Sequence, residues 1–135
     1  MRRFLHAVAL LLGVVAALEG PVIQTSNGPI QGTRDIFTGF TTYHGVPFAS
    51  PPTGNNRWRA PSHPAPWTST LPTHKAGPQC PQLDFVRGFH IGHEDCLYAS
   101  VYVPPVCDKG GCPVMQWIYG GAWSLGRYDY SLFAC

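Results

Sequence analysis

WIYGGAW, residues 117–123, follows the run Pro113-Val114-Met115-Gln116, and its reading decides how the chain folds. The apolar stretch 114–119 suits a buried strand with sheet neighbours on both sides. It ends in Gly120-Gly121-Ala122. Small residues let the main chain come close to a reacting carbonyl, so that backbone N–H groups can face an oxyanion. A tight turn that packs small residues after a core strand explains the same composition and does not exclude that role.

Outward from this stretch, composition narrows the field. The chain has 135 residues, 44% hydrophobic and 12% charged, with 15 Gly and 14 Pro. This is enough for one small core, with many turns and little long helix. The net charge of +2 includes Arg2 and Arg3 of a targeting segment; without them seven basic residues face seven acidic ones. Nothing then supplies the basic field that nucleic acid or an acidic membrane surface would need. Met1-Arg2-Arg3 followed by AVALLLGVVAA (residues 7–17) reads as a secretory signal peptide. Cleavage near Ala17 leaves Val15 and Ala17 at the two specificity positions. As a membrane anchor the run is too short, since Glu19-Gly20-Pro21 ends it well before the ~20 apolar residues a span requires.

Along the rest of the chain, residues 21–25 and 28–33 are short extended runs around Ser26-Asn27-Gly28, a strong hairpin-turn signal. With residues 40–48 they predict a small antiparallel sheet. Nine of the fourteen prolines fall between Pro47 and Pro81, which forbids long helices and central strands there. Trp58 and Trp67 argue that this is ordered irregular chain held by side chains rather than a linker. Residues 97–103 and 114–119 are expected to be two further strands.

Taken in order, these residues resemble the type-B carboxylesterase/lipase family, the cholinesterase-like branch of the α/β hydrolases. The resemblance is carried by GPIQGTRD (28–35), YHGVPFASPPTGNNRWRAP (43–61), Cys80-Pro81-Gln82, EDCLYASVYVP (94–104) and PVMQWIYGGAW (113–123), with Tyr128-Asp129 and Ser131-Leu132 continuing it weakly. It implies an α/β fold class. Residues 18–135 would be the N-terminal part of an α/β-hydrolase domain, a small antiparallel sheet plus the first strands of the central sheet, incomplete in this chain. Tyr119 replaces the commoner His, and Ala122 stands at the third small position.

The family also implies a disulfide between Cys80 and Cys96, closing a loop over the active-site gorge. The fifteen residues between them correspond to ~3 kcal/mol of loop entropy. Cys107 and Cys112 flank Asp108-Lys109-Gly110-Gly111, whose glycines permit a tight turn, and a local disulfide is expected there; zinc lacks a second ligand pair. Cys135 leaves the count odd. Arg57 and Glu94 occupy the positions of a family ion pair, so Arg57→Ala should lower the yield of folded protein. His90, His93 and Glu94 lie close together, but the intervening Gly92 argues against a helix that would put both imidazoles on one face, and solvent-exposed loop histidines are expected.

Ester hydrolysis in this family needs a Ser nucleophile in Gly-x-Ser-x-Gly, then an acid, then a His. No such pentapeptide occurs; Trp123-Ser124-Leu125-Gly126 lacks the leading Gly. The triad is therefore expected beyond Cys135. Gly121 and Ala122 are the candidate oxyanion-hole donors, with Gly120 in the same loop and a third donor following the absent Ser. The chain reads as the N-terminal portion of a secreted carboxylic-ester hydrolase acting on a small-molecule ester, inactive as it stands, with no cofactor and no metal. The alternative is a non-catalytic esterase-like adhesion protein. A self-standing binding module ranks last, because it would leave strand 114–119 as an aggregation-prone edge. The loop between Cys80 and Cys96 holds Phe85 and Phe89 but no Trp, so a choline-type cation–π site has no support.

Overall fold

The computed structural model describes residues 19–107 and 111–128. The signal-peptide reading of residues 1–17, residues 108–110 of the second cysteine loop, the weak matches at Asp129, Ser131 and Leu132, and Cys135 lie outside the described residues.

Two short extended runs meet at the expected turn. Strand β1 (Glu19–Gln24) pairs antiparallel with β2 (Pro29–Arg34), with Gln24 opposite Pro29. Thr25 organises the four residues between them. The amides of Asn27 and Gly28 donate to Thr25 Oγ1 at 3.3 and 3.2 Å, and the hydroxyl donates to the Gly28 carbonyl at 2.7 Å. At the other end of β2, the Phe37 and Thr38 amides donate to Asp35 Oδ1 at 2.8 and 3.1 Å. This is an Asx turn, in which a short acidic side chain replaces a backbone acceptor. The same amides hold the Asp35 carboxyl below its ordinary value, the Thr38 amide most strongly.

Strand β3 (Thr41–Pro47) follows, antiparallel to the end of β2 through Thr33–Thr42 and Arg34–Thr41. Its other edge takes β7 (Tyr98–Val103), also antiparallel. Period-two alternation turns Thr41 and Tyr43 inward, where Tyr43 joins Ile30, Ala49 and Cys96 in the core. Tyr43 also donates from its hydroxyl to the Pro21 carbonyl at 3.2 Å, and burial raises its pKa. The sheet order is β1-β2-β3-β7.

β4 (Leu71–Pro72) was not expected from sequence. It docks parallel to β2 at Ile30 and Gln31, where β3 leaves that edge open. Thr73 fixes it, with its amide and hydroxyl both donating to the Gln31 carbonyl at 2.8 and 2.7 Å. The proline-rich stretch is otherwise irregular, apart from one 3-10 turn at Gly54–Asn56. It is tied to the hairpin by Trp67, which donates from its backbone N–H to Asn27 O and from Nε1 to Pro29 O at 2.8 and 2.9 Å. The Trp58 expectation is corrected. Trp58 is 95% exposed, its backbone at φ +61°, with the Arg57 guanidinium over the ring at 5.9 Å from the centroid.

A second, two-stranded sheet, β5 (Gln82–Asp84) and β6 (Phe89–Ile91), fills the loop between Cys80 and Cys96. A second correction concerns residues 114–119, which form no strand. Val114, Met115 and Ile118 are exposed instead. A parallel central strand draws its hydrogen bonds and its burial from neighbours on both sides, so an apolar run of this kind cannot make a strand by local propensity. Among the described residues no helix is long and apolar enough to cross a membrane.

Candidate active site

Residues 120–126 form a turn around one carbonyl. Gly121 O accepts from the amides of Ser124 and Leu125 at 3.0 and 3.1 Å. Gly121, Ala122 and Trp123 all have positive φ, at 135°, 51° and 57°. For Ala and Trp this conformation is costly, roughly 1–3 kcal/mol each, and residues so held cluster at functional sites. Gly121 has no substitute, because a Cβ there would fall 1.8 Å from the Leu125 carbonyl oxygen. The turn consumes the Gly121 carbonyl and leaves the N–H groups of Gly121 and Ala122 out of its own bonding. Ser124 donates its hydroxyl to the Ala122 carbonyl at 3.1 Å, a local bond within the turn.

The disulfide loop reaches this turn. Cys80 and Cys96 are bonded, with Cα atoms 5.0 Å apart; Cys107 and Cys112 are bonded at 5.1 Å. Two residues past Cys80, the Gln82 carboxamide grips Gly126. Gly126 N–H donates to Oε1 at 2.8 Å, and Nε2 donates to Gly126 O at 2.9 Å. Sequence reasoning missed this contact. In Cys80-Pro81-Gln82 only the cysteine carries a local signal, and nothing in the sequence distinguishes a bridging Gln from a solvated one.

A further tie lies beside it. The Tyr128 hydroxyl accepts the Gly77 N–H. Tyr98 packs its ring against Gly77, and its pKa is pushed up to about 12 by burial first, then by the hydrogen bond to Asp95.

Arg57 Nε lies 2.7 Å from Glu94 Oε1, joining the proline-rich stretch to the cysteine segment. Both side chains are about half exposed, 52% and 41%. Exposed pairs contribute roughly 0–1 kcal/mol. Arg57→Ala is therefore expected to lower the unfolding free energy obtained by urea titration by less than about 1 kcal/mol, a milder outcome than the sequence alone suggested. A loss of 3 kcal/mol in the same titration would show that the pair carries more than its exposure allows.

His90 sits on β6 and not in a loop, and both His90 and His93 are exposed. Among the described residues no three His, Cys, Asp or Glu side chains gather as a metal site would require. A cleft of about 320 Å³ is lined by Phe48, Ser50, Asn56, Arg59 and Leu97 among others, and contains no residue of the 120–126 turn.

The carboxylesterase family matches residues 19–133. The chain belongs to that family. It is 37% identical, over an alignment of 137 positions, to the fumonisin B1 esterase of Sphingopyxis macrogoltabida, covering 93% of this chain and 25% of that protein. To the para-nitrobenzyl esterase of Bacillus subtilis it is 36% identical, covering 83% and 23% respectively. The solved structure of a thermophilic pNB esterase superposes with a TM-score of 0.69 at 36% identity, over 78% of this chain and 22% of that one. The carboxylesterase chain thus spans about a quarter of the length of these relatives. It carries the N-terminal, sheet-rich part of the α/β-hydrolase fold.

Proposed function

We propose that this chain is the N-terminal portion of a secreted carboxylic-ester hydrolase and that its part in the chemistry is the oxyanion loop. One observation carries this reading: the turn at Gly121-Ala122, in a chain that belongs to the carboxylesterase family, is built so that only glycine fits at 121 and both candidate N–H donors stay outside its hydrogen bonding. In acyl transfer a Ser oxygen attacks the ester carbonyl, and the carbonyl oxygen becomes an anion. Fixed N–H groups of Gly121 and Ala122 stabilise that anion without reorganising, and each such donor contributes ~2.7–4 kcal/mol in a working enzyme. The Ser, its His and the orienting acid would lie outside residues 1–135. The substrate is a small-molecule ester, since the names of the relatives span fumonisin B1, para-nitrobenzyl and juvenile hormone esterases. Secretion follows from the signal-like residues 1–17 and agrees with the disulfides.

The test compares the full-length protein with residues 18–135 on p-nitrophenyl butyrate. The full-length protein should release p-nitrophenol and be blocked by a serine-directed fluorophosphonate, whereas residues 18–135 should release none above background. A folded full-length protein without turnover would favour an adhesion-type relative. Turnover by residues 18–135 would move the nucleophile into this chain.

A further inference from the structure

We infer that Gln82 is a positioning residue for the oxyanion loop, transmitting the rigidity of the Cys80–Cys96 disulfide to Gly121 and Ala122; the inference rests on the esterase reading. Its carboxamide treats Gly126 as a strand neighbour would. Oε1 accepts the Gly126 N–H at 2.8 Å while Nε2 donates to the Gly126 carbonyl at 2.9 Å. The second Nε2 proton goes to the Cys80 carbonyl at 3.1 Å. That third bond fixes which way the amide faces, because a flipped carboxamide would set its NH₂ against the Gly126 N–H and its oxygen against two carbonyls.

Gly126 is one peptide from Leu125. The Leu125 amide bonds to Gly121 O, and its carbonyl lies where a side chain at residue 121 would have to go. Gly126 also packs back on the loop's start, since a Cβ there would stand 2.8 Å from Gly120 O. Holding Gly126 therefore holds both ends of the turn. On the far side, Cys80 is fixed by its disulfide, and the neighbouring Gln79 carbonyl accepts the His93 amide at 2.9 Å. No other side chain offers the same set of groups at this reach. Asn is one methylene short, and Glu presents only acceptors to two carbonyls when ionised.

The experiment measures Gln82→Ala and the isosteric Gln82→Glu in the full-length protein, the second serving where the first does not accumulate folded. Three readouts are kcat and KM on p-nitrophenyl butyrate, inhibition by a trifluoromethyl ketone that forms a tetrahedral adduct, and hydrogen exchange of the Gly126 amide. Displacing donors is a fraction of losing one outright, so kcat should fall about tenfold or more. KM should stay within about twofold, because the loop is asked to bind the transition state and not the ground state. The ketone's inhibition constant should rise in parallel with kcat/KM, and Gly126 exchange should accelerate. A kcat within twofold of wild type, or a KM rise that accounts for the whole loss, overturns the inference. Absence of hydrolysis by the wild type overturns the esterase reading instead; Gly126 exchange then decides the clasp, unchanged exchange overturning it and faster exchange supporting it.

Discussion

On the proposed esterase reading, Gly121→Ala is expected to lower kcat of the full-length protein by roughly 10²–10³, the range seen when an oxyanion donor is removed. A Cβ at this position would stand 1.8 Å from the Leu125 carbonyl oxygen and 2.7 Å from its carbon. Both are backbone atoms, so no rotamer change relieves the clash. The backbone is also at φ +135°, a conformation that an L side chain rarely adopts. The turn must open, and opening it moves the N–H groups of Gly121 and Ala122 away from the point where the anion forms. Gly120→Ala is the control. Among the described residues, no heavy atom beyond its two chain neighbours lies within 4 Å of the added Cβ, so kcat should change less than about tenfold. Steady-state kinetics on p-nitrophenyl butyrate, with thermal melts of both variants, separates the two cases. Equal losses from both substitutions would mean that the loop does not act through the geometry of residue 121.

The contrast between these neighbouring glycines was not legible in the sequence, where both read as small residues after an apolar run. Local signals did reach some elements. Asn27-Gly28 between extended runs is enough to expect β1 and β2, because turn chemistry and β-branched composition act within a few residues. β4 escaped notice because Leu71-Pro72 has no strand character of its own and becomes extended only by docking on the edge of β2 through Thr73. Trp58 and Trp67 have the same chemistry and sit in the same kind of chain. One finds two backbone carbonyls of the hairpin and the other finds solvent, a difference set wholly by tertiary contact. The run 114–119 shows the reverse. Its apolar character is plain, while its pairing depends on residues far away in the chain. Within the candidate site, the oxyanion motif is a backbone device and could be read from residue size. Gln82 acts through a side chain bridging 44 positions, and spacing gives no hint of it.

Replacing both Cys80 and Cys96 by Ser is expected to cost about 3 kcal/mol of stability in guanidinium unfolding, against about 2 kcal/mol for the same change at Cys107 and Cys112. The difference begins in loop length, since the first bridge spans 16 positions and the second 5. Freeing a longer loop returns more entropy to the unfolded chain, although the logarithm keeps that gap near 1 kcal/mol. Native contacts widen the functional contrast. Cys96 is buried in the core with Ile30, Tyr43 and Ala49, whereas Cys107 lies on the exposed connection after β7. The first bridge also anchors the segment from which Gln82 reaches Gly126. Its loss should accelerate Gly126 exchange and lower kcat as Gln82→Ala does, while loss of the second should leave both within about twofold. That pattern requires the two bridges to differ in what they hold as well as in the length they close. If both double variants lowered kcat equally after correction for the fraction folded, the disulfide loop would be a staple for the fold alone. The oxyanion turn would then owe its shape to its own residues.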